Sequence, residues 1–423
     1  MSLSNRRRFL ATTGLASVTA LSGYGLNSNE NANPAPKNKD LLDLTDFPVI
    51  DHHSHEFDLK AMNNPDPLRF AQMYYHGDWN DGQAPEGQSG MSKTLNYNLS
   101  NNGVVLATVA EFSQLFGCAD TLEAVVAERY KRVTANAQEY TNMLYKKARI
   151  EAIVLDSNRK EGVPDLIPAK IWRLVPNDMI FDECLKECET IATFRTTYLE
   201  RIAAKLADKQ YIGVKSHIGE QVGLLVDDAM TDSQGTYEKA CAKDPEAKKR
   251  IYTYSFNELT HYCCEKGVPI HIHTGTTGDL RSIPPLGQTL DPFLLAPYLK
   301  RKELRKLKIV LLHGGHPWIQ HTAIMAYNFP NVYMDMSWMF PWNVLGLKNL
   351  FQDALTMAPI SKLFYGGGCH TGPEIAYMGA IVLKKTVSSV MKELVGDNFL
   401  TVRQANEAAH MFLHANAERF YNI

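Results

Sequence analysis

Short apolar runs recur along the chain, most of them running into polar residues. They are "FPVIDHH" (47–53), "RIEAIVLD" (149–156), "AKIWRLV" (169–175), "YIGVKSH" (211–217), "VPIHIHTG" (268–275), "KIVLLHGG" (308–315), "NVYMDMS" (331–337) and "KLFYGGG" (362–368). Between most of them lie stretches with apolar residues at three-and-four spacing, such as "SFNELTHYCCEKG" and "IQHTAIMAYNF", the period of an amphipathic helix. Strand then helix, eight times, predicts parallel strands and an α/β fold of the (β/α)8 or TIM-barrel kind. The run "NGVVLATVAEFSQLFG" resembles a ninth strand but is too long for one, and its spacing fits a helix. It falls in a helical insertion, about 57–148, between strands 1 and 2, which is expected to cap one end of the barrel. A second, polar insertion spans about 218–250, after strand 4.

Composition changes this picture little. A chain of 423 residues, 45% hydrophobic and 21% charged, can build one large core. A net charge of -2 argues against a nucleic-acid partner and leaves a small-molecule substrate, with a homo-oligomer still open. The seven cysteines are odd in number and irregular in spacing, so no disulfide framework is indicated.

The first thirty residues differ from the rest. "SNRRRFLATTGLASVTALSG" has an arginine cluster, Arg6 to Arg8, followed by Phe9, Leu10 and a small-residue apolar stretch too short to span a bilayer. This order resembles a twin-arginine (Tat) export signal. Residues 1–30 are therefore expected to be a signal, 31–46 a polar linker and 47–423 the barrel. The mature protein is expected in the periplasm with no integral membrane segment.

Candidate chemistry sits at the carboxyl ends of the strands, where barrel enzymes build their sites. In "DHHSHEF", alternation puts Asp51, His53 and His55 on one strand face and His52 on the other, and a His-x-His pair of this period can bind one metal. Lys215 ends an apolar run and should point into the barrel mouth. A buried ammonium there needs either an acidic partner or conversion to a carbamate that ligates metal. His273 and His313 end strands 5 and 6 and are further metal-ligand candidates, while His271 is read as a core or supporting residue. His316, His217 and Trp318 are candidates to touch substrate.

His-x-His, Lys, His, His on strands 1, 4, 5 and 6 resembles the amidohydrolase superfamily of metal-dependent barrels. Within it, "GVKSH", "PIHIHTG", "VLLHGGHPW", "NVYMDMSW", "HTGPEIAYMGA" and the closing "HANAERFYNI" are similar to the amidohydrolase-2 branch, in particular the group related to the amidohydrolase domain of fluG and nodulin-type proteins. The resemblance spans about Phe47 to Ile423. It implies one or two divalent metals, with zinc favoured. His53 and His55 would hold one, His273 and His313 the other, with a carbamylated Lys215 bridging them and a metal-activated water as nucleophile.

The resemblance also implies an aspartate at the end of strand 8, in a Gly-Ser-Asp-x-His pattern. Here the run is Gly366-Gly367-Gly368-Cys369-His370, so Gly368 stands at the acid's place. Cys369 could ligate metal if a glycine bulge re-aims it, His370 could act as general base, and Asp335 or Glu374 could supply the carboxylate. The expected activity is hydrolysis of a small amide, lactone or related carbonyl compound. The alternatives are a non-oxidative decarboxylase or other lyase on the same metal site, and a catalytically lapsed barrel that binds metal or ligand.

Overall fold

The computed structural model describes residues 42–74, 97–156, 164–227, 233–276 and 288–423. The proposed signal and residues 31–41 of the linker lie outside them. Leu42 and Leu44 are buried in the main apolar core, and Ser388 Oγ donates to Leu42 O at 2.6 Å, so the folded body begins inside the range read as linker.

Eight parallel strands follow one another in sheet order: β1 (Val49–Ser54), β2 (Ile150–Asp156), β3 (Lys170–Pro176), β4 (Tyr211–Ser216), β5 (Ile270–His273), β6 (Ile309–Leu312), β7 (Val332–Asp335) and β8 (Leu363–Phe364). Helices lie between most of them, and the fold is a (β/α)8 barrel. The last strand is short, yet the backbone after it closes the ring against β1. His52 N–H donates to Tyr365 O at 3.0 Å, Gly368 N–H to His53 O at 2.8 Å, and His55 N–H to Cys369 O at 2.8 Å.

The described part of the insertion between β1 and β2 is helical. Gly103–Phe116 starts at Asn102, whose side chain accepts from Val104 N–H, and stops at Gly117 in the left-handed region, φ 69°. Leu122–Ala148 follows after a Thr121 cap. The second insertion ends earlier than its sequence boundary, because Asp244 caps and Pro245 opens a helix, Pro245–Lys266, that leads directly to β5. Among the described residues no helix is long and apolar enough to cross a membrane.

Inside the barrel, beneath the polar strand ends, Ile50, Ala152, Val310, Leu312 and Phe364 pack on Ala417 and Phe420 of the closing helix Asn416–Tyr421. Burying a side chain the size of Phe420 is worth about 1.5–3 kcal/mol, so this helix fastens the barrel floor that the donors stand on.

Candidate metal centre

Strict alternation along β1 fails, and the failure shapes the site. The β1–β2 register shifts between Asp51 and Ser54. His52 consequently also faces the interior, which corrects the expectation that it takes the opposite face. Its ring stacks on His271 (centroids 4.9 Å) and Phe364 (4.3 Å). Its Nδ1 lies 3.2 Å from Asp335 Oδ2, and Tyr421 Oη bridges His52 Nε2 (2.8 Å) and His271 Nε2 (2.6 Å). Tyr421 thus occupies one ring nitrogen of each histidine.

The donors form two neighbouring groups. In one, atoms of His53, His55 and Asp156 lie within 4.8 Å of one another; in the other, atoms of His217, Glu220 and His273 do. His313 stands between them, its ring 5.2 Å from His53 and 4.4 Å from His273. Lys215 joins the groups: its Nζ is 3.4 Å from Asp156 Oδ2 and 2.6 Å from His217 Nε2. Asp178 holds His217 from behind, Oδ2 at 2.7 Å from Nδ1. His313 is held likewise by Ser337 Oγ, 2.8 Å from its Nδ1, and Ser337 donates in turn to Asp335. A hydrogen-bonded partner on the far nitrogen fixes tautomer and aim, as metal-ligating histidines require.

Electrostatics keep two of the donor histidines, His53 and His273, neutral. Burial holds His53 well below the ordinary imidazole range, with His55, His313 and Lys215 pushing the same way. Burial also lowers His273, to about 4, despite Glu220 beside it. Both ring nitrogens of His53 are buried without a hydrogen-bond partner among the described residues. Leaving such groups unsatisfied costs about 1–3 kcal/mol, and a neutral imidazole with an open lone pair is what a divalent cation binds. The donor set therefore fits a cation.

Three other sequence candidates lie elsewhere. Cys369 is buried in the main apolar core and donates its Sγ–H to Gly372 O at 2.8 Å; the glycines do not re-aim it at the histidines. Glu374 is buried against Arg129, which donates to it, and Tyr140, whose Oη donates to its Oε1 at 2.9 Å, so its charge is already matched. Asp335 supports His52, Ser337 and the His313 backbone N–H rather than presenting an oxygen to the donors. His370 does reach the site: its ring centroid is 3.6 Å from that of His55. His316 is half-buried, 6.1 Å ring to ring from Trp342. Trp318 stands at the N-cap of the helix Ile319–Asn328, half-buried.

Gly368 adopts φ +63°, and a Cβ there would come 2.7 Å from Trp338 Cδ1 and 2.8 Å from its Nε1. The indole fills the space a side chain at this position would need. Gly367 is held just as closely, its N–H donating to Asp51 Oδ1 at 2.6 Å. Burial raises Asp51 to about 7, with Asp335 adding to the rise and the Gly367 contact opposing it.

Sequence reading missed Asp156, Asp178 and Glu220. Asp156 ends β2 at the carboxyl face, the same signal that singled out the histidines. Asp178 and Glu220 lie just past β3 and β4, on the helices Asn177–Glu187 and Ile218–Gln221, where only the fold reveals their aim.

The model of the Amidohydrolase family (amidohydrolase-2) matches residues 193–423, more than half of the chain. The chain belongs to the amidohydrolase family. Members are metal-dependent, which agrees with the donor geometry. This amidohydrolase is 25% identical to fluG of Emericella nidulans over 251 residues, 55% of this chain but 28% of fluG, so it spans less than a third of that relative. Among solved structures, a Lactobacillus casei protein assigned as a metal-dependent hydrolase matches with TM-score 0.76 and 18% identity over 90% of this chain and 97% of that one. A uronate isomerase from Thermotoga maritima matches with TM-score 0.64 and 14% identity over 90% and 95%. At these identities the two structures speak for the fold alone.

Proposed function

We propose that this amidohydrolase is a metal-dependent hydrolase of a small amide, lactone or related carbonyl compound. The observation that carries the reading is Asp156, a buried carboxylate beside His53, His55 and Lys215. It supplies the acid that Gly368 cannot.

His53, His55 and Asp156 would hold one divalent cation, for which we favour zinc. His273 and His313, with Glu220 and His217 adjoining, would hold a second. When bound, the cation lowers the pKa of water and polarises a carbonyl oxygen. In the metal-free chain Lys215 is an ammonium paired with Asp156. In the loaded chain we read it as carbamylated, since CO2 capture turns a competing cation into an anionic ligand. The missing strand-8 acid had two duties, and two residues divide them. Asp156 takes the ligand duty. His370, half-buried against His55, takes the proton duty, accepting a proton from the attacking water and returning it to the leaving group. Positioned acid–base catalysis of this kind contributes about 10²–10⁴-fold.

Gly368 favours a second reading: decarboxylation on the same donors, which requires no proton to be drawn from water. We also infer that the Arg6–Arg8 segment exports the chain by the Tat route to the periplasm, already folded.

The deciding experiment is metal analysis of chelator-free protein, followed by turnover assays on esters, lactones, amides and carboxylic acids. Bound metal with hydrolysis that falls about 10²–10⁴-fold in His370→Ala, at unchanged metal content, supports the hydrolase. Release of CO2 without hydrolysis supports the lyase. A chain that holds no metal refutes both.

A further inference from the structure

One side of the donor cluster is aromatic. Trp338 and Trp342 stack with ring centroids 5.5 Å apart and planes 24° apart. Trp342 continues to His313 at 5.7 Å and to His316 at 6.1 Å. Trp338 lies 4.7 Å from His370, whose ring is 3.6 Å from His55. The wall thus runs from one donor histidine, His55, to another, His313. Trp338 is buried, whereas Trp342, His316 and His370 are half-buried and retain open surface.

The backbone is arranged around this wall. Trp338 holds φ 66°, a left-handed conformation unusual for a bulky residue, and Gly368 across from it holds φ 63°. Conformations of this cost persist where the surroundings enforce them, and they concentrate at functional sites. Only glycine at 368 leaves the indole its place, since a Cβ there would sit 2.7 Å from Trp338 Cδ1. Other donors have polar neighbours instead: Lys215 and Asp178 at His217, and Glu220 at His273.

We propose that this wall recognises substrate and that the site takes an aromatic carbonyl compound. The planar ring lies along Trp342 and His370 with Trp338 behind it, and the carbonyl or carboxyl group points to the donors. This deepens the cation-centre reading above and rests on it. Aromatic pairs gain from stacking beyond the area they bury, so an aliphatic compound with the same polar group forgoes that gain.

The test uses the full chain loaded with zinc and two hydroxamates, benzohydroxamate and acetohydroxamate, titrated calorimetrically. They share one chelating group and differ by the ring. The expected result is benzohydroxamate binding tighter by about tenfold or more, the range that ring burial and stacking supply. Trp342→Ala should bring the two within about threefold while acetohydroxamate affinity holds. Trp338→Phe, which keeps a ring in the core, should narrow the gap in part and guards against misfolding of the first variant. Equal affinities in the unaltered chain, or a gap that survives both substitutions, overturns the aromatic site and leaves the cation centre standing. A chain that takes up no zinc, or takes it up and binds neither hydroxamate, overturns the cation centre and the aromatic site with it.

Discussion

Lys215 Nζ lies 3.4 Å from Asp156 Oδ2, with both side chains almost completely buried. Neither charge is tolerable there alone, since removing one partner of a buried pair costs about 3–5 kcal/mol. Asp156→Asn should therefore abolish metal binding and strand Lys215. Elemental analysis beside a thermal melt checks this, and full metal content in a well-folded Asp156→Asn chain refutes Asp156 as a ligand.

Carbamylation of Lys215 is a separate matter. After labelling with carbon-13 bicarbonate, the metal-loaded chain should show a carbamate resonance that is absent from the metal-free chain and from Lys215→Arg. A loaded chain without that resonance leaves Lys215 an ammonium.

The β1 histidines divide by task. His53→Ala with His55→Ala should empty the site of metal and leave the chain folded, because the His53 ring has no hydrogen bond to lose among the described residues. His52→Ala should act differently. It removes a buried ring stacked at 4.3 Å on Phe364 and two hydrogen-bond contacts, so stability should fall by about 2–5 kcal/mol. Denaturant unfolding separates the two: a His52→Ala chain as stable as the parent contradicts the stacked arrangement.

Restoring an acid at strand 8 should fail. A side chain at Gly368 meets Trp338 at 2.7 Å and a left-handed backbone at φ +63°. Gly368→Asp should lose stability, by about 1–3 kcal/mol from the backbone alone, and gain no activity. Pairing it with Trp338→Ala should relieve part of the loss. A stable, more active single variant shows that the indole moves aside easily.

The metal-free chain should weaken in mild acid. His273 titrates at about 4 when folded and near 6.5 when unfolded, and His53 is held low as well. Between those values the unfolded chain binds more protons at these histidines, so unfolding free energy falls as pH falls, by up to about 1.4 kcal/mol per pH unit for each, while Asp51, raised to about 7 in the fold, works the other way and offsets one of them. Zinc should raise stability wherever it stays bound and leave this slope in place or extend it to lower pH, since it holds the folded histidines neutral while the unfolded chain still takes up protons. Urea melts from pH 7 to pH 4.5, with and without zinc, measure it; a flat metal-free profile excludes the low values.

The barrel was legible in the sequence because its strands are continuous apolar runs and its helices keep their period. The ends of the strands were legible in residue type but not always in direction. The shift between Asp51 and Ser54 turned His52 inward, a register effect that alternation cannot foresee. Cys369 and Glu374 stood close in sequence to the place of interest, and each was claimed by a neighbour far along the chain: Glu374 by Arg129, Cys369 by the apolar core. Asp156 carried the right signal all along, at the end of β2. An aspartate closing a strand is also an ordinary turn residue, so residue type alone does not single it out.

The glycine run after β8 is where the barrel ring closes, and Gly367 meets Asp51 across 316 residues of chain. Contacts of such separation are costly to form and come late in folding. His53 and His55 sit on this seam, their backbone fixed by Gly368 N–H and Cys369 O across it, so the donor group reaches its final geometry only when the first and last strands have met. Cation uptake by His53, His55 and Asp156 should then follow ring closure, and its rate after dilution from urea should report the completion of the barrel rather than the formation of any one strand.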